Sequence, residues 1–229
     1  MIKIKWLAHA SFLIEGDGLR IITDPYEPNE EMNLPAITES ADIVIRSSDD
    51  DEAHSYTETI PSGFETITAT EAVEKETTVK GLLVNGIWAE ESHIHKHVVR
   101  DNAMYSFTLG GIQITHMGDV GNPLTNRQLE QISNTDVLLA LTGGPPTIEL
   151  KDLKTVIEAI NPKIVIPMHY RIPGPRFFML PVEAFTADYP EEMVEFVEGT
   201  EIELTAESLP KQTKIIVLQP TLYRLESAD

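Results

Sequence analysis

The sequence predicts an α/β chain in which two packed sheets carry helices on their outer faces. Three observations predict it. Short apolar, β-branched runs separated by turn signals fill the first third, as the strands of a meander do. A Gly110-Gly111 pair between two such runs repeats the hairpin signal in the middle of the chain. Beyond Asp119, apolar residues recur at helical spacing and alternate with short, fully apolar runs, the pattern of βαβ units.

Taken in order, Ile2 to Leu7, Ser11 to Glu15 and Leu19 to Thr23 read as strands, with a tight turn at Gly16-Asp17-Gly18. Ala41 to Ile45 is a further strand that runs into the polar segment Ser47 to His54, a common way to build a site. Glu65 to Thr68, Thr77 to Val84 and Gly86 to Ala89 continue in strands, followed by the hairpin of Ala103 to Leu109 and Ile112 to His116. Leu124 to Ile132 fits a helix, Asp136 to Leu141 a buried strand, Leu150 to Ile160 a helix and Lys163 to Pro167 a strand. Pro181 to Asp188 is a short helix with proline near its first turn, and Glu201 to Leu218 returns to strand character. No linker composition and no repeat interrupts the chain, so one domain is expected over 1–229.

A content of 41% hydrophobic and 24% charged residues excludes a fully disordered chain. No apolar run reaches the roughly 18 residues of a membrane span. The charges at Lys3, Lys5 and Glu15 argue against a secretory signal, which leaves a cytoplasmic address as the expectation. Cysteine is absent, which removes disulfides, thiolate catalysis and cysteine-ligated metals. Any metal site must use His, Asp and Glu. With 17 basic against 37 acidic residues the net charge is -20, a field that repels a phosphate backbone, so the expected partner is a small molecule rather than nucleic acid or membrane.

Seven histidines are available, and His9, His54, His93, His116 and His169 stand at or near strand ends, with His95 and His97 beside His93. Loops after the strands of a layered fold converge at one edge, so these groups can meet around a ligand. Asp119 and His169 each follow a strand almost directly. Simpler readings stand beside these. The Asp49-Asp50-Asp51-Glu52 run suits a solvated loop, His9 a backbone hydrogen bond or a place beside a metal, and His116 either an orienting role toward Asp119 or a plain strand end. Arg100 and Asn102 suit either the pocket or surface contacts. Thr142-Gly143-Gly144-Pro145-Pro146 lacks the Lys-Ser/Thr continuation of a phosphate cradle and reads as a rigid loop. Ser11 has no nucleophile-elbow context.

Together Trp6-Leu7-Ala8-His9-Ala10-Ser11-Phe12, Thr23-Asp24-Pro25, the acidic loop after a strand, His116-Met117-Gly118-Asp119-Val120-Gly121 and Pro167-Met168-His169-Tyr170 resemble the metallo-β-lactamase fold superfamily. More narrowly they are similar to its branch of metal-dependent hydrolases that includes the ascorbate-6-phosphate lactonase-like proteins. The resemblance implies an αββα sandwich with a mono- or dinuclear metal site where the loops of the two sheets meet. It matches Asp119 to the bridging aspartate, His169 to the final histidine and His93 to the middle one. The family's HxHxDH loop departs here. One register gives Ser48, Asp50, Glu52 and Ala53, and the other gives Asp49, Asp51, Ala53 and His54.

The resulting candidate ligands are Asp51, Glu52, His54, His93, Asp119 and His169, with Asp119 and His169 also the catalytic candidates. Carboxylates suit harder cations than imidazoles do, so manganese is expected over zinc as the divalent ion, in one or two copies. The chemistry implied is hydrolysis of a lactone, ester or phosphorylated metabolite by a metal-activated water. The alternative is a member that keeps the fold but, with its first-loop ligands replaced, binds without turnover.

Overall fold

In the computed structural model, β1 (Ile2–Ala8) buries Ile2, Ile4 and Trp6 and leaves Lys3 and Lys5 half-buried, the two-residue period of a strand with one face in the core. The model describes residues 1–73 and 75–223; the domain expected over 1–229 includes positions 74 and 224–229, which lie outside the described residues. β1 pairs antiparallel with β2 (Ser11–Gly16), and β2 with β3 (Leu19–Thr23). Gly16 faces Leu19, so the turn narrows to Asp17-Gly18, whose φ values of 51° and 78° suit a two-residue hairpin. β4 (Ile43–Arg46) and β5 (Glu65–Thr68) add in parallel, and β13 (Glu201–Leu204) closes the other edge, where Lys3 Nζ lies 3.2 Å from Glu201.

The second sheet has eight strands in the order β12 (Val194–Phe196), β14 (Lys214–Val217), β11 (Ile164–Met168), β10 (Val137–Leu141), β9 (Ile112–His116), β8 (Ala103–Leu109), β7 (Leu82–Trp88) and β6 (Thr77–Val79). β9, β10 and β11 run parallel, and every residue of β10 and β11 is buried, as expected of strands covered on both faces. Helix α2 (Asn126–Gln131) links β9 to β10, and α3 (Leu150–Ile160) links β10 to β11. Along α3, Leu153, Val156, Ile157 and Ile160 are buried at helical spacing, and Asn161 ends the helix at a left-handed φ of 46°. The result is an αββα sandwich around one continuous apolar core. Among the described residues no helix is long and apolar enough to cross a membrane.

The expected elements shift in three places. The run Thr77 to Val84 divides at Lys80-Gly81, a two-residue turn with φ values of 49° and 83°. Gly86, read as the start of a separate strand, lies within β7: a Cβ there would stand 2.1 Å from the Ala69 carbonyl oxygen, so glycine admits a neighbouring backbone in mid-strand. The acidic loop contains a single turn of helix, α1 (Glu52–Ser55), capped by the Asp51 side chain on the amide of Ala53. β12 and a short helix α4 (Val182–Thr186) complete the chain. β12 was not expected, because three edge residues with mostly exposed side chains leave no alternation to read.

Candidate metal centre

Parallel pairing of β3 with β4 brings Asp24 and Ser47, the residues that follow these strands, side by side. Asp24 is fully buried and its carboxylate is saturated. Oδ1 accepts from Ser47 N and from the Tyr105 hydroxyl, both at 2.9 Å, and Oδ2 accepts from Ser47 Oγ at 2.6 Å. His54 on α1 makes the remaining contact, its Nδ1 lying 2.9 Å from Asp24 Oδ2. Burial pushes the Asp24 carboxyl up, but His116, His54 and Ser47 outweigh it and leave it below the usual range. A carboxylate can only accept, so His54 Nδ1 is protonated, and Nε2 turns toward Asp119, 3.6 Å from Oδ1.

Asp119 is aimed by the turn after β9. His116, buried at the strand end, faces the Ala10 carbonyl with Nε2 at 2.8 Å and accepts from Gly118 N with Nδ1 at 2.9 Å. Asn102 Oδ1 accepts the Asp119 amide at 2.9 Å. His116 is therefore committed at both nitrogens and orients the Asp119 loop. Asn102, one of the two residues of open role in the sequence, does the same from β8's entrance.

His9 and His169 close the other side. His9 follows β1 and His169 follows β11, at φ values of 53° and 54°, and the His169 amide donates to the His9 carbonyl at 3.0 Å. Their ring centroids are 4.0 Å apart, and His54 stacks 5.7 Å from His169. Gly143 makes this arrangement possible, since a Cβ there would fall 2.0 Å from the His169 carbonyl oxygen. The loop at 142–146 thus backs the site through Gly143.

Four buried polar atoms here have no hydrogen-bond partner: both ring nitrogens of His9, His169 Nδ1 and Asp119 Oδ1. Such atoms are costly unless something else satisfies them. One ligand atom from each of His9, His54 and His169 lies within 4.8 Å of the others, and the same holds for Asp51, His54 and Asp119. Bonds of about 2.1 Å at tetrahedral angles separate neighbouring ligands by about 3.4 Å. The 3.6 Å from His54 Nε2 and 3.7 Å from His169 Nε2 to Asp119 Oδ1 are close to that spacing. The donor set fits a divalent ion.

Charge is concentrated around Asp119. Burial raises its carboxyl, but His54, Lys96 and His169 outweigh it and hold it at about 2. Burial likewise lowers His54, and Asp119 with Asp24 reverses this to about 9. Burial dominates at His169, pushed down to about 4, and at His9, which falls well below the ordinary imidazole value. Lys96 Nζ stands 2.5 Å from Asp119 Oδ2 and 2.9 Å from Oε1 of buried Glu91.

Of the six expected ligands the structure brings four together: Asp51, His54, Asp119 and His169. Asp51 and His54 belong to the second register of the acidic loop; in the first, Asp50 and Glu52 are exposed. Glu52 sits only at the rim of the cleft, which corrects its place among the ligands. His93 is also corrected: its ring is exposed and lies 2.7 Å from Glu90, away from Asp119. His95 and His97 are exposed as well. His9 lies among the ligand candidates, Asp24 supports them, and Lys96, from the loop that carries His93 and held by Glu91, reaches Asp119. The sequence signals for His9 and Asp24 were their places directly after strands. His93→Ala is expected to leave metal content unchanged and stability within about 0.5 kcal/mol; elemental analysis showing loss of ion on this substitution would refute the placement.

A domain model described as the beta-lactamase superfamily domain matches residues 3–169. A UPF0173 metal-dependent hydrolase of Carboxydothermus hydrogenoformans is 25% identical over 203 residues, covering 73% of this chain and 84% of the relative. A crystal structure of a candidate Zn-dependent hydrolase of the metallo-beta-lactamase superfamily from Thermotoga maritima superposes with a TM-score of 0.76 at 33% identity, over 95% of this chain and 98% of that one. Igni18, a metallo hydrolase from Ignicoccus hospitalis, superposes with a TM-score of 0.65 at 18% identity, over 98% of this chain and 99% of that one, a likeness of fold alone.

Proposed function

The chain belongs to the beta-lactamase superfamily and is related to its metal-dependent hydrolases, and from that premise we propose that it hydrolyses a small ester, lactone or phosphorylated metabolite above His9, His54, Asp119 and His169. The observation that carries this reading is the convergence of unpartnered buried nitrogens and one carboxylate oxygen at the base of a cleft. The cleft holds about 360 Å³, within the roughly 300–1,000 Å³ of small-molecule sites.

A bound ion would supply Lewis acidity and lower the pKa of water toward neutrality. The chain's own residues set the rest. Asp24 fixes the His54 tautomer, and His9 and His169 remain neutral imidazoles. Met32, Phe177 and Phe178 give the cleft an apolar wall, and Arg100 on its rim offers a cation to an anionic substrate group. Three imidazoles and one carboxylate favour zinc over manganese, which reverses the expectation drawn from the acidic loop. The net charge of -20 argues against a nucleic-acid substrate.

The alternative, a family fold that binds without turnover, draws support from one contact: Lys96 already neutralises an oxygen of Asp119. Protein purified without chelator is expected to contain a divalent ion and to hydrolyse members of an ester, lactone and phosphoester panel, with activity lost to chelator and restored by zinc. Folded protein that contains no ion and takes up neither zinc nor manganese in calorimetry would overturn the proposal. Metal-loaded protein inert across the panel would favour the alternative.

A further inference from the structure

We propose that the Lys96 ammonium is a built-in cation that takes the place of a second metal ion, so that this centre holds a single divalent ion on the Oδ1 side of Asp119. The inference rests on the metal-centre reading above and adds what limits its stoichiometry. Asp119 presents its two oxygens to different surroundings. Oδ1 has no hydrogen-bond partner and faces His54 and His169, whereas Oδ2 is taken by Lys96 Nζ at 2.5 Å.

The ammonium is held on both sides. Glu91 is 1% exposed, with Oε1 lying 2.9 Å from Nζ and Oε2 accepting the Arg100 amide at 3.0 Å. A buried carboxylate of this kind is costly without a counter-charge. Asp51 is also near: it forms a cluster with His54 and Asp119, and its Oδ1 is 3.8 Å from Arg100 Nη1. Glu91, Asp51 and Asp119 Oδ2 are the oxygen donors that a second, harder cation would require. In this chain a lysine from the same loop as Glu91 holds that ground. A divalent ion placed there would face an ammonium at close range among largely buried carboxylates, and like charges that close repel.

The test is the number of ions bound. Wild type titrated with zinc in a calorimeter and assayed by elemental analysis is expected to bind one ion per chain, and its manganese form to give an uncoupled paramagnetic spectrum. Lys96→Met removes the charge while keeping much of the stem, and is expected to raise the number to two with a spin-coupled manganese pair. Lys96→Arg retains the charge and is expected to stay at one. Should Lys96→Met fail to fold, Lys96→Gln keeps a donor for both carboxylates and is read in the same way. Two ions in wild type would overturn the role of Lys96 while leaving the metal centre standing. A neutral variant that still binds one ion would overturn it equally. Wild type that binds none would overturn both readings.

Discussion

Asp24→Ala is expected to cost about 3–5 kcal/mol of folding stability, the range for removing one member of a buried charged network. That is a large part of the roughly 5–15 kcal/mol that holds an ordinary domain together. The reason is the number of donors left behind. Ser47 N, Ser47 Oγ, His54 Nδ1 and the Tyr105 hydroxyl all end on this carboxylate, and all three residues are buried. Tyr105 belongs to β8 in the second sheet and Asp24 follows β3 in the first, so the loss falls on the join between them. Asp24→Asn should cost less stability, since one oxygen and the shape remain. Its amide cannot satisfy all the donors, and with His54 no longer held in one tautomer, metal affinity should drop about 10–100-fold. Urea denaturation monitored by two probes tests the first part and calorimetry the second. A loss below about 1 kcal/mol in the alanine variant would mean that water replaces the carboxylate at little cost.

Asp119→Ala should abolish metal binding and any metal-dependent hydrolysis while the protein still folds, because the side chain supports the ion and packs little of the core. The metal-free variant should be less stable than metal-free wild type by about 1–3 kcal/mol. Its neighbours decide the sign. Asp119 faces the cations Lys96 and His54, and removing it leaves them short of a counter-charge. Its folded carboxyl is held at about 2 against an ordinary 3.8. This contribution is therefore present in full above the ordinary value and disappears as pH falls toward 2. Denaturation curves of the two metal-free proteins should separate at neutral pH and converge in acid. Wild-type hydrolysis by Asp119→Ala, or a variant more stable than wild type at neutral pH, would sink this account.

The sandwich was legible because its strands and helices keep their hydrophobic periods. Leu150–Ile160 is helical over the span its apolar spacing predicts, and the Gly110-Gly111 turn joins β8 to β9. Asp119 and His169 were legible for a related reason, as polar residues closely following buried strands. His93 was misread because strand period was carried past the end of the strand. Ala89 and Glu91 are buried on alternate positions, but Ser92 Oγ accepts the amides of Ile94 and His95, and the chain turns outward there. Parity thus points to Glu91 and expires one residue later. Lys96 opens the short basic cluster Lys96 to Arg100, which marks positive charge near the pocket, but its pairing with Asp119 had no signal, since that depends on where the turn sends the chain back. The acidic loop looked solvated because Asp49, Asp50 and Glu52 are exposed; Asp51 is drawn inward by capping a helical turn too short to leave a period.

His9 and His169 have a bearing on how this chain would evolve. Each holds a left-handed backbone angle, and a residue with a β-carbon pays roughly 1–2 kcal/mol for it. Each also carries a buried ring nitrogen without a hydrogen-bond partner. Glycine would relieve the backbone at either position, so selection for persistence of the fold alone runs against both imidazoles. Under drift without a ligand to retain, these two positions should be among the first to decay. A random library of this protein sorted only for thermal resistance should therefore enrich glycine or asparagine at 9 and 169, and the survivors should be sturdier molecules that have lost their metal.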